Sequence, residues 1–147
     1  MNLGIYIPSI GDKALLNQCT QEINRGKSNN LISDASIFYN NAGPINTPVE
    51  CGLFNATDLW YFSGKLLVLS TECAIKTLNI VNNIELYYGY GWNDRNVLSL
   101  LKILENKNIK VLSKSKELDD DLYRVSGMRS IGVTNDLVGV IDILKSN

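Results

Sequence analysis

Apolar residues recur along this chain in two alternating rhythms. Short apolar runs, rich in β-branched and aromatic side chains, suit buried strands. Each is followed by small polar residues that can cap a helix, and then by apolar residues at helical spacing. Residues 3–7 predict the first strand. Pro8-Ser9-Ile10-Gly11 punctuates it, Asp12 can cap a helix, and Leu15, Leu16, Cys19 and Ile23 mark that helix's inner face. Gly26 and the polar residues 27–30 predict its end, and residues 35–39 the second strand. The pattern then repeats. A strand at 66–69 leads through Ser70-Thr71 to a helix carrying Cys73, Ala74, Leu78 and Val81. A strand at 84–88 leads through Asn93-Asp94 to a helix carrying Val97, Leu98, Leu101 and Leu104. A strand at 109–112 leads through Ser113 and Ser115 to a helix with Leu118, Leu122 and Val125. A last strand at 131–133 leads through Thr134-Asn135 to a closing helix with Leu137, Val140, Ile141 and Leu144.

Successive strand–cap–helix units predict an α/β fold: one three-layer, Rossmann-like domain spanning residues 1–147, with a mainly parallel sheet of about six or seven strands. Its crossovers should be right-handed. The segment 40–64 interrupts the rhythm like an insertion, with two of the three prolines, Pro44 and Pro48, and no long helical period. Short strands are expected within it at 51–54 and 59–62. Long irregular connections in compact domains are often functional.

Charge and composition narrow the function. A chain of 147 residues can bury about 70% of its unfolded surface without disulfides or a structural metal. The net charge is −1, and half of the 14 basic residues lie between Lys102 and Arg129, interleaved with acidic ones. That pattern describes solvated helix faces rather than a basic stripe, so no nucleic-acid partner is expected. No apolar run is long enough to span a membrane, and residues 4–10 are too short for a signal core. Cys19, Cys51 and Cys73 are odd in number and fit no metal spacing. They read as reduced packing residues of a cytoplasmic protein with no disulfide and no cofactor.

Histidine is absent. Ser-His-Asp and Cys-His triads, HExxH zinc sites and histidine general bases are therefore excluded. Neither GxxxxGK[ST] nor GxGxxG occurs, and Gly89-Tyr90-Gly91 reads as a tight turn. Asp119-Asp120-Asp121 reads as the surface first turn of a helix, since adjacent helical positions diverge.

In open parallel sheets ligands bind beyond the carboxyl ends of the strands. The residues placed there are Ser9, Asn40, Asn41, Ser70, Thr71, Tyr90, Trp92, Ser113, Ser115 and Asn135. Several would stand at helix N-termini, which favour anions such as phosphate. The same residue types are also the preferred helix caps, with or without a ligand. Among the aromatics, Tyr87 reads as core, Tyr90 and Trp92 as exposed enough to stack on a sugar or base, and Trp60, Tyr61 and Phe62 as packing residues.

Residues 54–71, from Phe54-Asn55-Ala56-Thr57-Asp58-Leu59-Trp60-Tyr61-Phe62 through the apolar run to Ser70-Thr71, resemble a signature of small phage-encoded glycosyltransferase-like proteins, including those of phages of marine cyanobacteria. Residues 109–118 resemble the strand–Ser–helix element that follows in those proteins. The resemblance implies a single Rossmann-like half of a B-type glycosyltransferase, encoded by a phage and acting in the host cytoplasm. B-type enzymes bind a nucleotide sugar between two such domains, and this chain has room for one. It also lacks the Glu-x7-Glu pattern and the histidine of such catalysts. Two functions follow. One is an accessory Rossmann-like protein that binds a protein partner. The other is a glycosyltransferase-like protein that binds a nucleotide sugar at the strand ends, with a homodimer supplying the missing half. Phosphometabolite sensing is a third reading, from the helix N-termini alone.

Overall fold

The computed structural model describes residues 1–80, 83–93 and 96–147. Seven strands form one sheet: β1 (Asn2–Ser9), β2 (Asp34–Asn41), β3 (Gly52–Asn55), β4 (Gly64–Val68), β5 (Ile84–Tyr90), β6 (Lys110–Ser113) and β7 (Gly132–Val133). Their order is β3-β2-β1-β4-β5-β6-β7 and every pairing is parallel. The helices are α1 (Lys13–Ser28), α2 (Thr71–Thr77), α3 (Val97–Leu104), α4 (Lys116–Ser126) and α5 (Val140–Ser146), with a short 3-10 helix at Ala56–Tyr61. This is the predicted three-layer Rossmann-like arrangement.

Alternate residues of each strand enter two separate cores. Leu3, Ile5, Ile7, Ala35, Ile37, Leu67, Tyr87 and Leu112 face α1 and α5. Tyr6, Phe38, Leu66, Val68, Tyr88 and Val111 face the 3-10 helix and α2, α3 and α4. Helix α1, which joins β1 to β2, and α5, which follows β7, cover one face, and the helices that join β4 to β7 cover the other.

One buried carboxylate fastens the first helix to the last. Glu22 of α1 is 2% exposed and accepts the N–H groups of Gly139 and Ile141, at 3.1 Å each, at the start of α5. Arg25 donates to both Glu22 oxygens at 2.8 Å and reaches Asp142 at 2.6 Å. Beside this clamp the helices approach closely at Gly26, where an added Cβ would lie 2.6 Å from Ile141 Cδ1. One detail changes: α1 ends at Ser28, within the expected stretch 26–30, and Gly26 itself lies inside the helix, where it provides room for α5.

Four further expectations change. The strand expected at 59–62 is the 3-10 helix. The Asn55 side chain accepts the Thr57 N–H and caps it, and Leu59 and Phe62, three residues apart, both turn inward. Helix α3 buries Leu100 and Ile103, leaving Val97, Leu98 and Leu101 exposed, because contact with α2 selects the other face. Asp119 is buried rather than superficial. It accepts hydrogen bonds from the Ser130 N–H (2.8 Å) and hydroxyl (2.7 Å) and from Arg129 (2.8 Å), which ties α4 to the chain leading into β7. Burial opposes its ionisation, but these donors outweigh burial and hold the carboxyl below its ordinary value. Finally, Leu137 is buried but precedes α5. Val81 and Asp94 lie outside the described residues.

Replacing Glu22 by alanine leaves the Gly139 and Ile141 N–H groups without their acceptor and Arg25 with Asp142 alone. The Glu22→Ala protein should lose about 3 kcal/mol of stability, read as a lower urea midpoint with an unchanged slope.

Candidate functional site

The strand order reverses direction at β1, whose neighbours β2 and β4 lie on either side. Ligands of open α/β sheets bind at such a switch point, beyond the carboxyl ends of the strands. All ten residues expected there stand at or beyond that end of the sheet. Ser9 ends β1, Asn40 and Asn41 end β2, Tyr90 ends β5 and Ser113 ends β6. Ser70 caps α2, Thr71 begins it, and Ser115 caps α4. Trp92 follows β5 just past Gly91, whose φ of +98° makes the tight turn expected there.

Most of their polar atoms are engaged within the fold. Ser9 Oγ accepts the Gly11 N–H at 3.0 Å. Asn40 accepts the Tyr6 hydroxyl at 2.5 Å and donates to the Cys73 sulfur at 3.6 Å, tying β1, β2 and α2 together. Asn41 donates to the Pro8 carbonyl at 3.5 Å. Ser70 and Ser115 accept the N–H groups of Cys73 and Leu118 as helix caps. The Thr71 and Tyr88 hydroxyls are hydrogen-bonded at 3.1 Å. Asn135 is exposed beyond β7. Tyr90 is 4% exposed, which corrects the expectation that it stands open for stacking, and Trp92 is only partly exposed. Tyr90 ends β5 within the core under α2, α3 and α4, whereas the turn at Gly91 brings Trp92 back against Gly89 beside the other core. Two atoms of this group are enclosed without a hydrogen-bond partner, Ser113 Oγ and Trp92 Nε1.

The thiol at this end is held protonated. Burial pushes the Cys73 thiol up to about 11, against hydrogen bonds from Ser70 and Tyr6 that favour the thiolate. Burial likewise raises the Tyr6 hydroxyl and the thiols of Cys19 and Cys51. All three cysteines are free thiols. Among the described residues no three metal-ligating side chains gather, and no helix is long and apolar enough to cross a membrane.

A more open site lies at the other flank, on the face of the sheet that carries the 3-10 helix. A groove of about 360 Å³ is lined by Ser36, Phe38, Phe54, Asp58, Tyr61 and Phe62. Its floor is strand residues in register, Ser36 beside Gly52 and Phe38 beside Phe54. Phe38 sits between two rings, 5.9 Å from Phe54 and 5.3 Å from Phe62 in an edge-on contact. Of its lining rings Tyr61 is 90% and Phe54 41% accessible, and Trp60, next in sequence to Tyr61, is 54% accessible. The expectation that Trp60 and Tyr61 are packing residues is corrected here, and it holds for Phe62. In a 3-10 helix residues three apart share a side, so burying Leu59 and Phe62 turns the two rings between them outward. The missed signal was the cap at Asn55 with that three-residue spacing; Asp58 stood alone in sequence and gave none.

Compared with known proteins, the chain matches no protein-family model, no curated protein and no solved structure. The glycosyltransferase-like resemblance therefore rests on its two sequence stretches alone.

Among the strand-end hydroxyls, Ser70 and Ser115 cap helices, Ser9 and Thr71 bond within the fold, and Ser113 has no partner. Ser70→Ala, which uncaps α2, should cost about 1 kcal/mol. Ser113→Ala removes an unpartnered buried oxygen and should be neutral or stabilising. Urea unfolding of the two variants side by side measures the contrast.

Proposed function

We propose that this protein is a binding module that recognises a protein partner through the aromatic groove beside its edge strand. The observation that carries this reading is the pairing of three exposed rings, Phe54, Trp60 and Tyr61, with an apolar groove on one flank. Contiguous exposed apolar surface usually marks an interaction site, and Trp and Tyr dominate binding energy where they occur. Strand β3 supports it further, since it ends the sheet and pairs on one side only with β2. Its outer backbone groups can accept an extended segment as an added strand. An accessory role in a phage is compatible with this reading and adds nothing to its chemistry.

The test is selection from a displayed library of random dodecapeptides, depleted on the Phe54→Ala/Tyr61→Ala protein. The selected peptides should bind the parent protein and lose about tenfold in affinity on Tyr61→Ala, a loss of about 1.4 kcal/mol. Peptides that bind parent and variant equally would remove the groove from the reading.

A second reading, nucleotide-sugar binding at the strand ends, is favoured by the switch point at β1 and by the enclosed, unpartnered Ser113 Oγ and Trp92 Nε1. It predicts that a nucleotide sugar at 100 times its dissociation constant stabilises the fold by about 2.7 kcal/mol. A thermal-shift panel of nucleotides, nucleotide sugars and sugar phosphates measures this, and an unmoved melting temperature throughout would end it.

A further inference from the structure

The groove carries a charge as well as rings. Asp58 lines it beside Phe54 and Tyr61, is exposed, and has no ion-pair partner among the described residues. The sequence around it is one-sided. Residues 31–64 contain Asp34, Glu50 and Asp58 and no lysine or arginine. Of the lysines nearby, Lys27 donates to the Glu50 carbonyl at 3.0 Å, and Lys65 binds Tyr87, Glu85 and the Leu144 carbonyl. Among the described residues no cation lines the groove itself, so Asp58 is the one charge in its lining.

Resting on the reading of the groove as a protein-docking site, we propose that its occupant is an extended, basic peptide segment, with an arginine or lysine side chain seated against the groove's rings and paired with Asp58. Aromatic faces attract cations through the negative potential above the ring, and an adjacent carboxylate adds direct charge pairing. A segment running along β3 would send alternate side chains toward the face that holds Phe54 and Asp58, because strand side chains repeat every second residue. Apolar side chains two positions away would then cover the ring of Phe38 or Phe54, and backbone groups would pair with β3. Arginine fits better than lysine, since its planar head can stack on a ring and bind a carboxylate at once. An acidic segment is disfavoured by Asp34, Glu50 and Asp58 together.

The test uses the acetylated and amidated heptapeptide Thr-Val-Thr-Arg-Thr-Val-Thr and its counterpart with citrulline, which keeps arginine's shape and loses its charge. Each is titrated into isotope-labelled protein while the amide signals of residues 52–61 are followed. The arginine peptide should move the signals of Phe54, Asp58 and Tyr61 and bind about tenfold more tightly than the citrulline peptide. Asp58→Asn, whose spectrum reports directly on its folding, should erase most of that preference. Equal binding of the two peptides, or a preference that survives Asp58→Asn, would overturn the cationic occupant and leave the docking reading standing. Absence of any signal change in the groove with either peptide would also overturn it. Loss of the docking reading itself shows separately, as library peptides that ignore Phe54 and Tyr61.

Discussion

A parallel sheet cannot leave a face in water, because its strands carry apolar side chains on both sides and need helical crossovers to connect them. The rest of this structure follows from how each face is covered. On one side the long amphipathic α1, joined by α5, supplies a continuous lid, and the buried Glu22 fixes the two helices together. On the other side α2, α3 and α4 cover the centre and the far edge. At the edge formed by β2 and β3 the cover is one 3-10 helix of six residues. A helix that short has few inward positions, here Leu59 and Phe62, and its remaining rings stand in solvent. The exposed aromatic flank is therefore a consequence of how the sheet's second face is closed.

The polar residues at the carboxyl ends of the strands show how such a fold uses its caps. Each helix that follows a strand exposes N–H groups needing partners, and serine or asparagine supplies them at about 1 kcal/mol each. Ser70, Asn96 and Ser115 do this for α2, α3 and α4. Asn40 goes further, joining the Tyr6 hydroxyl and the Cys73 thiol of different elements. These bonds make the switch point a rigid junction. Ser113 Oγ and Trp92 Nε1 stand apart, since a buried donor without a partner is costly and asks for an explanation.

The two candidate sites differ in what they offer a ligand. The strand-end crest presents hydroxyls and amides largely consumed by the fold, beside thiols that burial keeps protonated. The edge groove presents the exposed rings of Phe54 and Tyr61, the carboxylate of Asp58 and the open side of β3. A surface of that composition offers contact area and charge to a ligand.

The amino-acid sequence by itself determined the layers of this protein. Period-two and period-3.6 patterns with cap residues at their joins are local properties, and they identified the seven strands and the helices between them, including the crowding of Ser9, Ser70, Ser113 and Ser115 at one end of the sheet. The short β3 was legible for the same reason, as apolar residues after a proline-rich stretch. Other features needed the third dimension. Glu22, Asp119 and Gly26 look like surface or punctuation residues until packing brings α5, Ser130 and Ile141 against them. Helix α3 has apolar residues on more than one side, so only its contact with α2 decided that Leu100 and Ile103 turn inward and Leu98 outward. The groove was the least legible feature. Phe38, Phe54, Asp58 and Tyr61 are separated by up to 23 residues in the chain and meet only because β3 pairs with β2 in register. Strand order and long-range register are set by the summed burial of the whole sheet, and no local pattern of residues encodes that sum.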